Sequence, residues 1–190
     1  KSKLSENSDY VNLIFSSGLR FNKIDIESDL IGENCSCNIL SALFLNKNEH
    51  QEIKTRINHL VPDCKSYQRI KKVLDSNSKG IFQGKVYVKD VAQKTNAYQL
   101  SKALLLHDDA EFNSKPELEI YADDVKCSHG STSGTIDEDS LYYLMTRGLS
   151  RKESTKILIK GFLNDVVDFI KNPKIKEFVE NKLEEQVNGH

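Results

Sequence analysis

Cys127 and His129 stand two residues apart in EIYADDVKCSHGSTSG, residues 119–134, where an apolar, strand-like run gives way to small residues. In an extended segment residues i and i+2 share a face, so this thiol and imidazole point the same way. Such a pair can ligate a soft metal, either zinc or the iron of an iron–sulfur centre. Two ligands do not complete a site, however. The other cysteines, Cys35, Cys37 and Cys64, form neither a disulfide framework nor a CxxC…CxxC zinc pattern. Cys35 and Cys37 join the pair only if the fold carries them to it. The plainer reading is a buried cysteine beside a histidine satisfied by a backbone carbonyl, and residue types alone favour it. A Cys–His nucleophile is weaker still, because nothing marks an orienting third group or an oxyanion donor.

Other polar clusters carry less. Asp123 and Asp124 are adjacent and would face opposite ways on a strand, so they cannot share a proton, and a turn is the better reading. GSTSG lacks the Gly-Lys-Ser/Thr ending of a phosphate-binding loop, and no G-x-S-x-G elbow surrounds Ser131, Thr132 or Ser133. His59, just before a proline-directed turn, reads as structural. His107, in LLLHDDA, reads as an exposed imidazole beside an aspartate turn.

The elements that must position Cys127 and His129 fall into two regimes. From Tyr10 to Gly134, short runs rich in Ile, Val, Leu and Tyr alternate with polar breaks: VNLIF, LRFNKIDI, NILSALFL, EIKTRINHL, YQRIKKVL, GIFQGKVYV, ALLLH and ELEIYA. Most are too short for helices and read as strands. No helical pattern intervenes, which argues against βαβ units. Asp75, Asp90, Asp108 and Asp124 each close an apolar run, with gaps of 15, 18 and 16 residues. A period of roughly 16 suits one coil of a β-solenoid. A sandwich of evenly spaced hairpins fits the same spacing, but no Asn-Gly or Asp-Gly hairpin dipeptide occurs in the region. The expected fold is therefore a mainly β, parallel (right-handed) β-helix over residues 1–134, followed by a small helical domain over 135–190.

In that second region TIDEDSLYYLMTRG predicts a helix opening at Asp137 and stopping at Gly148. Ser150 and Glu153 make a capping box ahead of KILIKGFLNDVVDFI, where Ile157, Phe162, Val166 and Ile170 recur at helical spacing, widened by Leu158 and Phe169. Pro173 suits the first turn of a third helix.

Of the 190 residues 38% are hydrophobic and 29% charged, with a formal net charge of −1, which is the composition of a globular chain. The charge runs KIDIESD (23–29) and NKLEEQ (181–186) mix signs and read as solvated surface. With no basic stripe, a nucleic-acid backbone is not expected as a partner. No apolar run approaches the length of a membrane helix, and no secretory leader is visible. Reduced thiols in a cytosol-like compartment are the expectation.

KPELEIYADDVKCSHGSTSGTIDEDSLYYLMTRGLS, residues 115–150, resembles the C-terminal signature of the SufB/SufD family of iron–sulfur cluster assembly scaffolds, on its SufD branch. HLVPDCKSYQRIKKVLDSNSKGIFQGKVYVKDVAQKTNAYQLSKALLLHDDA, residues 59–110, is similar to the family as well. The likeness thins before about residue 45 and after about residue 170. It implies a parallel β-helix with a helical C-terminal domain, and a chain that corresponds to the C-terminal half of a family member. It also implies a SufB-like paralogue and a SufC-like ABC ATPase as partners. The histidine of the family's C-S-H-G motif falls on His129, near the paralogue interface, where it holds or guides a nascent cluster. Cys127 is carried over beside it. The helical tail is the family's ATPase dock, here residues 137–170 with Tyr142, Tyr143 and Arg147 as contacts. Where SufB-like chains carry a C-G-A-H-T segment, this chain reads LLLHDDAEFNSKP, so a SufB-type cysteine ligand is missing. The implied role is that of a non-enzymatic scaffold subunit binding no cofactor stably alone, with a nascent cluster at the partner interface, in a bacterial cytoplasm or plastid stroma. Self-association through the solenoid end is a further arrangement the sequence leaves open.

Two rival readings remain. A β-helix enzyme acting on carbohydrate or acyl groups would show secretion signals or hexapeptide repeats, and neither appears. A plain interaction module would carry the Cys/His pair for structure only.

Overall fold

The computed structural model describes residues 1–16 and 18–188. Among the described residues, ten strands precede three helices. In chain order the strands are β1 (Ser2–Leu4), β2 (Asp9–Ile14), β3 (Phe21–Leu30), β4 (Ser36–Leu45), β5 (His50–His59), β6 (Lys65–Leu74), β7 (Lys79–Val88), β8 (Thr95–Leu105), β9 (Glu111–Ile120) and β10 (Val125–Gly134). The helices are α1 (Glu138–Thr146), α2 (Arg151–Val167) and α3 (Pro173–Asn188). Odd-numbered strands form one parallel five-stranded sheet in the order β1-β3-β5-β7-β9, and even-numbered strands form the other, β10-β8-β6-β4-β2. Each coil thus contributes one strand to each sheet, and five coils stack into a β-solenoid.

The coil is twice as long as the aspartate spacing predicts. Ser36 pairs with Lys65, and Lys65 with Asn96, steps of 29 and 31 residues. The interval near 16 is half a coil, because Asp75 and Asp108 sit at one corner while Asp90 and Asp124 sit at the other. The corners themselves turn on residues with positive φ. Asn7, Asn34, Asp63 and Lys94 occupy one edge of the stack, and Asn48 and Asn77 the other. Asn and Asp tolerate this left-handed conformation better than other side chains, so the fold places them where a coil must reverse. Successive corners are tied together, with Asn77 Nδ2 donating to Asn48 Oδ1 at 2.6 Å.

Between the sheets, alternate residues interlock. Leu30, Ile39, Leu43, Ile53, Ile57, Ile70 and Phe82 fill the first coils, and Val86, Val88, Ala92 and Ala97 continue the core toward the last. The second core lies outside the even sheet, where α2 and α3 cover Leu40, Ala42, Phe44 and Val73. A polar clasp reinforces that cover. Arg69 Nη1 and Lys71 Nζ both reach Asp165, each at 2.6 Å. Lys71 also donates to the Phe162 carbonyl at 2.8 Å. Burial is the largest influence on Asp165 and works to raise its pKa, but the hydrogen bond and charge of Lys71, with Arg69, hold the carboxyl below its ordinary value.

The helix ends match the sequence signals. Asp137 caps α1 by accepting from Ser140 N, Gly148 follows with φ 94°, and the Ser150–Glu153 capping box opens α2. The buried face of α2 follows the predicted stripe in part: Val166 is buried, and Phe162 and Ile170 pack against the second core. Ile159, Leu163, Val166 and Val167 are buried, whereas Ile157 and Phe169 are exposed. Apolar residues wrap more than half of this helix, so the sheet on one side and α3 on the other select the face, which periodicity alone could not.

Candidate functional site

β10 carries the Cys/His pair and is a full ten-residue strand, not the turn that a Ser- and Gly-rich segment resembles. Small residues have poor strand propensity, but β8 offers a complete parallel ladder from Val125↔Thr95 to Gly134↔Leu104. Cys127 lies over Ala97 and His129 over Gln99. Both partners are buried residues that point into the solenoid, so Cys127 and His129 occupy inward positions on a strand with no coil beyond it among the described residues. They share a face about 7 Å apart along the strand. Cys127 is half-buried and His129 is exposed.

Their electrostatic settings differ. Burial pushes the Cys127 thiol up, which keeps it protonated unless a cation or metal binds the thiolate. The His129 side chain has no hydrogen-bond or ion-pair partner among the described residues. Behind it, neither polar atom of the buried Gln99 amide finds a hydrogen-bond partner either. Gln99 was not visible as a site residue from local sequence. The signal that reveals it is the coil length: Gln68, Gln99 and His129 occupy one inward column, stepping by 31 and 30 residues. Across the solenoid from Gln68, Thr55 Oγ1 donates to its Oε1 at 2.5 Å.

The remaining cysteines stay apart. Cys37 lies in the same inward column as Cys127, but β6 and β8 separate their strands, three spacings of about 4.8 Å. Cys35 and Cys64 stack at an early corner, Sγ to Sγ 3.3 Å, fully buried. Burial pushes Cys35 up to about 12 and Cys37 to about 11. Among the described residues no group of three or more His, Cys, Asp or Glu side chains could hold a metal. Cys127 and His129 therefore share the inward face of β10 with no third His, Cys, Asp or Glu side chain grouped with them among the described residues.

The structural histidines behave as expected. His59 is buried, its Nε2 2.8 Å from Ser66 Oγ, and desolvation takes it down to about 4. His107 sits at the surface with Nε2 3.2 Å from Asp75. Asp123 and Asp124 lie in the bend before β10, where the Asp124 carbonyl accepts from Lys94 N at 2.6 Å.

Beyond the open coil, α1 buries Leu141 and presents Tyr142 and Tyr143 at 70% and 57% exposure. One turn on, Arg147 lies 5.1 Å from the Tyr143 ring centroid. Residues 1–162 match the family described as SUF system FeS cluster assembly, SufBD core domain. The chain belongs to the SufB/SufD family. The match begins at residue 1, so the likeness extends through the first coils as well as the later ones. Among SufB/SufD relatives, the chain is 33% identical over 162 residues to "Iron-sulfur cluster assembly protein SufD" of Escherichia coli, covering 85% of this chain and 38% of that protein. The SufD protein of Bacillus subtilis is 31% identical over 137 residues, 72% of this chain and 31% of its own length. The Arabidopsis thaliana protein ABCI7, chloroplastic, is 40% identical over 111 residues, 58% of this chain and 23% of that one. The chain thus spans well under half the length of these relatives. No helix among the described residues is long and apolar enough to cross a membrane.

Proposed function

We propose that this chain acts as a scaffold subunit in iron–sulfur cluster assembly, with the open last coil as its working end. His129, with Cys127, supplies one side of a site that a SufB-like paralogue completes. The observation that carries this reading is the inward face of β10, which holds a thiol and an unengaged imidazole where no further coil covers them. The cluster is cargo. Half a ligand set held by one chain suits a cluster that is built and then released, because the partner's ligands are needed to hold it. Binding iron would draw off the Cys127 proton that burial otherwise retains.

The helical region supplies the second contact. Tyr142, Tyr143 and Arg147 form an exposed aromatic and cationic patch suited to docking a SufC-like ABC ATPase. On this reading residues 1–134 handle the cluster, residues 135–190 take up motion from the ATPase, and the chain holds cargo without catalysing a reaction. The SufD relatives in two bacteria and the chloroplastic relative support a cytoplasmic or stromal setting.

Co-purification with the paralogue and the ATPase from the same source tests the arrangement. Paired Tyr142→Ser and Tyr143→Ser substitutions should release the ATPase while retaining the paralogue. Retention of both proteins would remove α1 from the interface. Capture of neither by the folded wild-type chain would overturn the scaffold reading in favour of a simpler interaction module, and recovery of a homodimer alone would assign the open coil to a second copy.

A further inference from the structure

The outer face of the even-numbered sheet holds a groove of about 660 Å³ beside the α2–α3 connection, on the opposite side of the sheet from the inward Cys127 and His129. Its floor is a grid of outward side chains in register. Ser36, Lys65 and Asn96 form one row, and Asn38, Tyr67 and Tyr98 the next. Phe169 and Ile175 stand at the wall. The Tyr67 and Tyr98 rings lie 6.4 Å apart, and Phe169 stacks on Tyr67 at 6.1 Å with an interplanar angle of 23°. Val11, Tyr98, Phe169 and Ile175 remain exposed around this cavity despite their apolar surface.

Polarity is graded across the floor. At the strand-start end, the side-chain polar groups of Lys65, Asn38, Asn96 and Tyr98 have no hydrogen-bond or ion-pair partner among the described residues. The acid of the groove, Asp9, is already engaged by the Ser36 hydroxyl and lies 4.0 Å from Lys171. The uncompensated charge is therefore the Lys65 ammonium. Toward the helices the lining adds Phe169, Ile170 and Ile175, with Lys171 and Asn172 between them. A volume of this size falls in the range of small-ligand sites, about 300–1,000 Å³.

We propose that this groove binds a small planar aromatic anion, its ring against Tyr67 and Tyr98 and its acidic head at Lys65 between the Asn38 and Asn96 amides. A flat ring matches aromatic walls better than a branched aliphatic body does. A purely apolar ligand would strip water from the ammonium and two amides without replacing it. A strand-like peptide would pair along the β2 edge, whereas the Lys65 and Tyr67–Tyr98 rows lie inside the sheet on its face.

Fluorescence titration of the whole chain with 8-anilinonaphthalene-1-sulfonate, an aromatic anion with a flat naphthalene ring, tests the assignment. The expected result is saturable binding at one site per chain. Tyr98→Ala should abolish it, and Lys65→Glu should weaken it about fivefold or more. Phe21→Ser, which removes an exposed aromatic from the other sheet, should leave it unchanged. The neutral probe N-phenyl-1-naphthylamine should bind more weakly than the sulfonate and ignore Lys65→Glu. Non-saturable binding, or binding indifferent to Tyr98→Ala in a variant with wild-type circular dichroism, would overturn the site. Equal affinity for the neutral probe would overturn the anion assignment and mark the groove as an apolar docking surface.

Discussion

β7 and β10 are both ten-residue strands in parallel ladders, yet they use the same geometry for opposite ends. In β7 every second residue, from Gly80 to Val88, is buried against the opposing sheet. In β10 no residue is fully buried, and the inward positions hold Cys127, His129 and Ser131. The difference is the number of neighbours. β7 has β5 on one side and β9 on the other, whereas β10 has β8 alone. A solenoid gains its stability from stacked coils, so its terminal coil is where side chains can be spent on chemistry rather than packing. An inward position that is core in the stacked coils is left half-buried or exposed on β10.

The sharpest way to probe that contrast is to damage the stacked coils. Phe82 is among the largest fully buried side chains. Phe82→Ala should cost about 3–5 kcal/mol in denaturant unfolding, whereas truncations on β10 should not approach that. Gly84→Ala comes next, because an added Cβ would lie 2.5 Å from Phe82 Cζ. The expected loss is about 1–3 kcal/mol, and it should shrink in a Phe82→Leu background, where the ring is gone. An undiminished loss there would mean that the backbone, not the ring, resists the methyl group.

Acid should separate the two regions as well. His59 is held at about 4 by burial, against an ordinary value of 6.5. The unfolded chain therefore binds a proton at a higher pH than the folded one. Stability from keeping this imidazole neutral is complete above 6.5 and declines as the pH falls toward 4. Unfolding free energies at pH 7.5 and 5 should differ by about 1–2 kcal/mol, and by less in His59→Asn. A pH response unchanged by that substitution would shift the effect to other groups. The smallest stability change belongs to the exposed His129, where His129→Ala should stay within about 0.5 kcal/mol of wild type.

Much of this fold is legible in the sequence, and the failures have physical causes. β-prone runs located most of the strands because inward and outward residues alternate along them, as in KGIFQGKVYV. Asp137, Gly148, Ser150 and Glu153 marked helix ends because capping is local chemistry. The aspartate spacing gives half the coil length, because apolar runs end in aspartate at both corners of a coil. The 29-residue step from Asn48 to Asn77, both with positive φ, carries the true repeat. β10 was obscured by its own composition, since its ladder depends on β8 and not on propensity. Lys72 was beyond reach too. Nothing in KSYQRIKKVL shows that the second of two adjacent lysines turns inward to donate to the Gln51 and Ile81 carbonyls. At the site, the Cys/His spacing was visible from the first, but Gln99 behind His129 required the register.

The most direct test is the iron and acid-labile sulfide content of the proposed complex with a SufB-like paralogue and a SufC-like ATPase, comparing wild type with His129→Ala. The expected result is an intact complex, unchanged unfolding of the variant chain, and a cluster yield that falls several-fold. A wild-type yield from that complex would contradict the role given to the open coil.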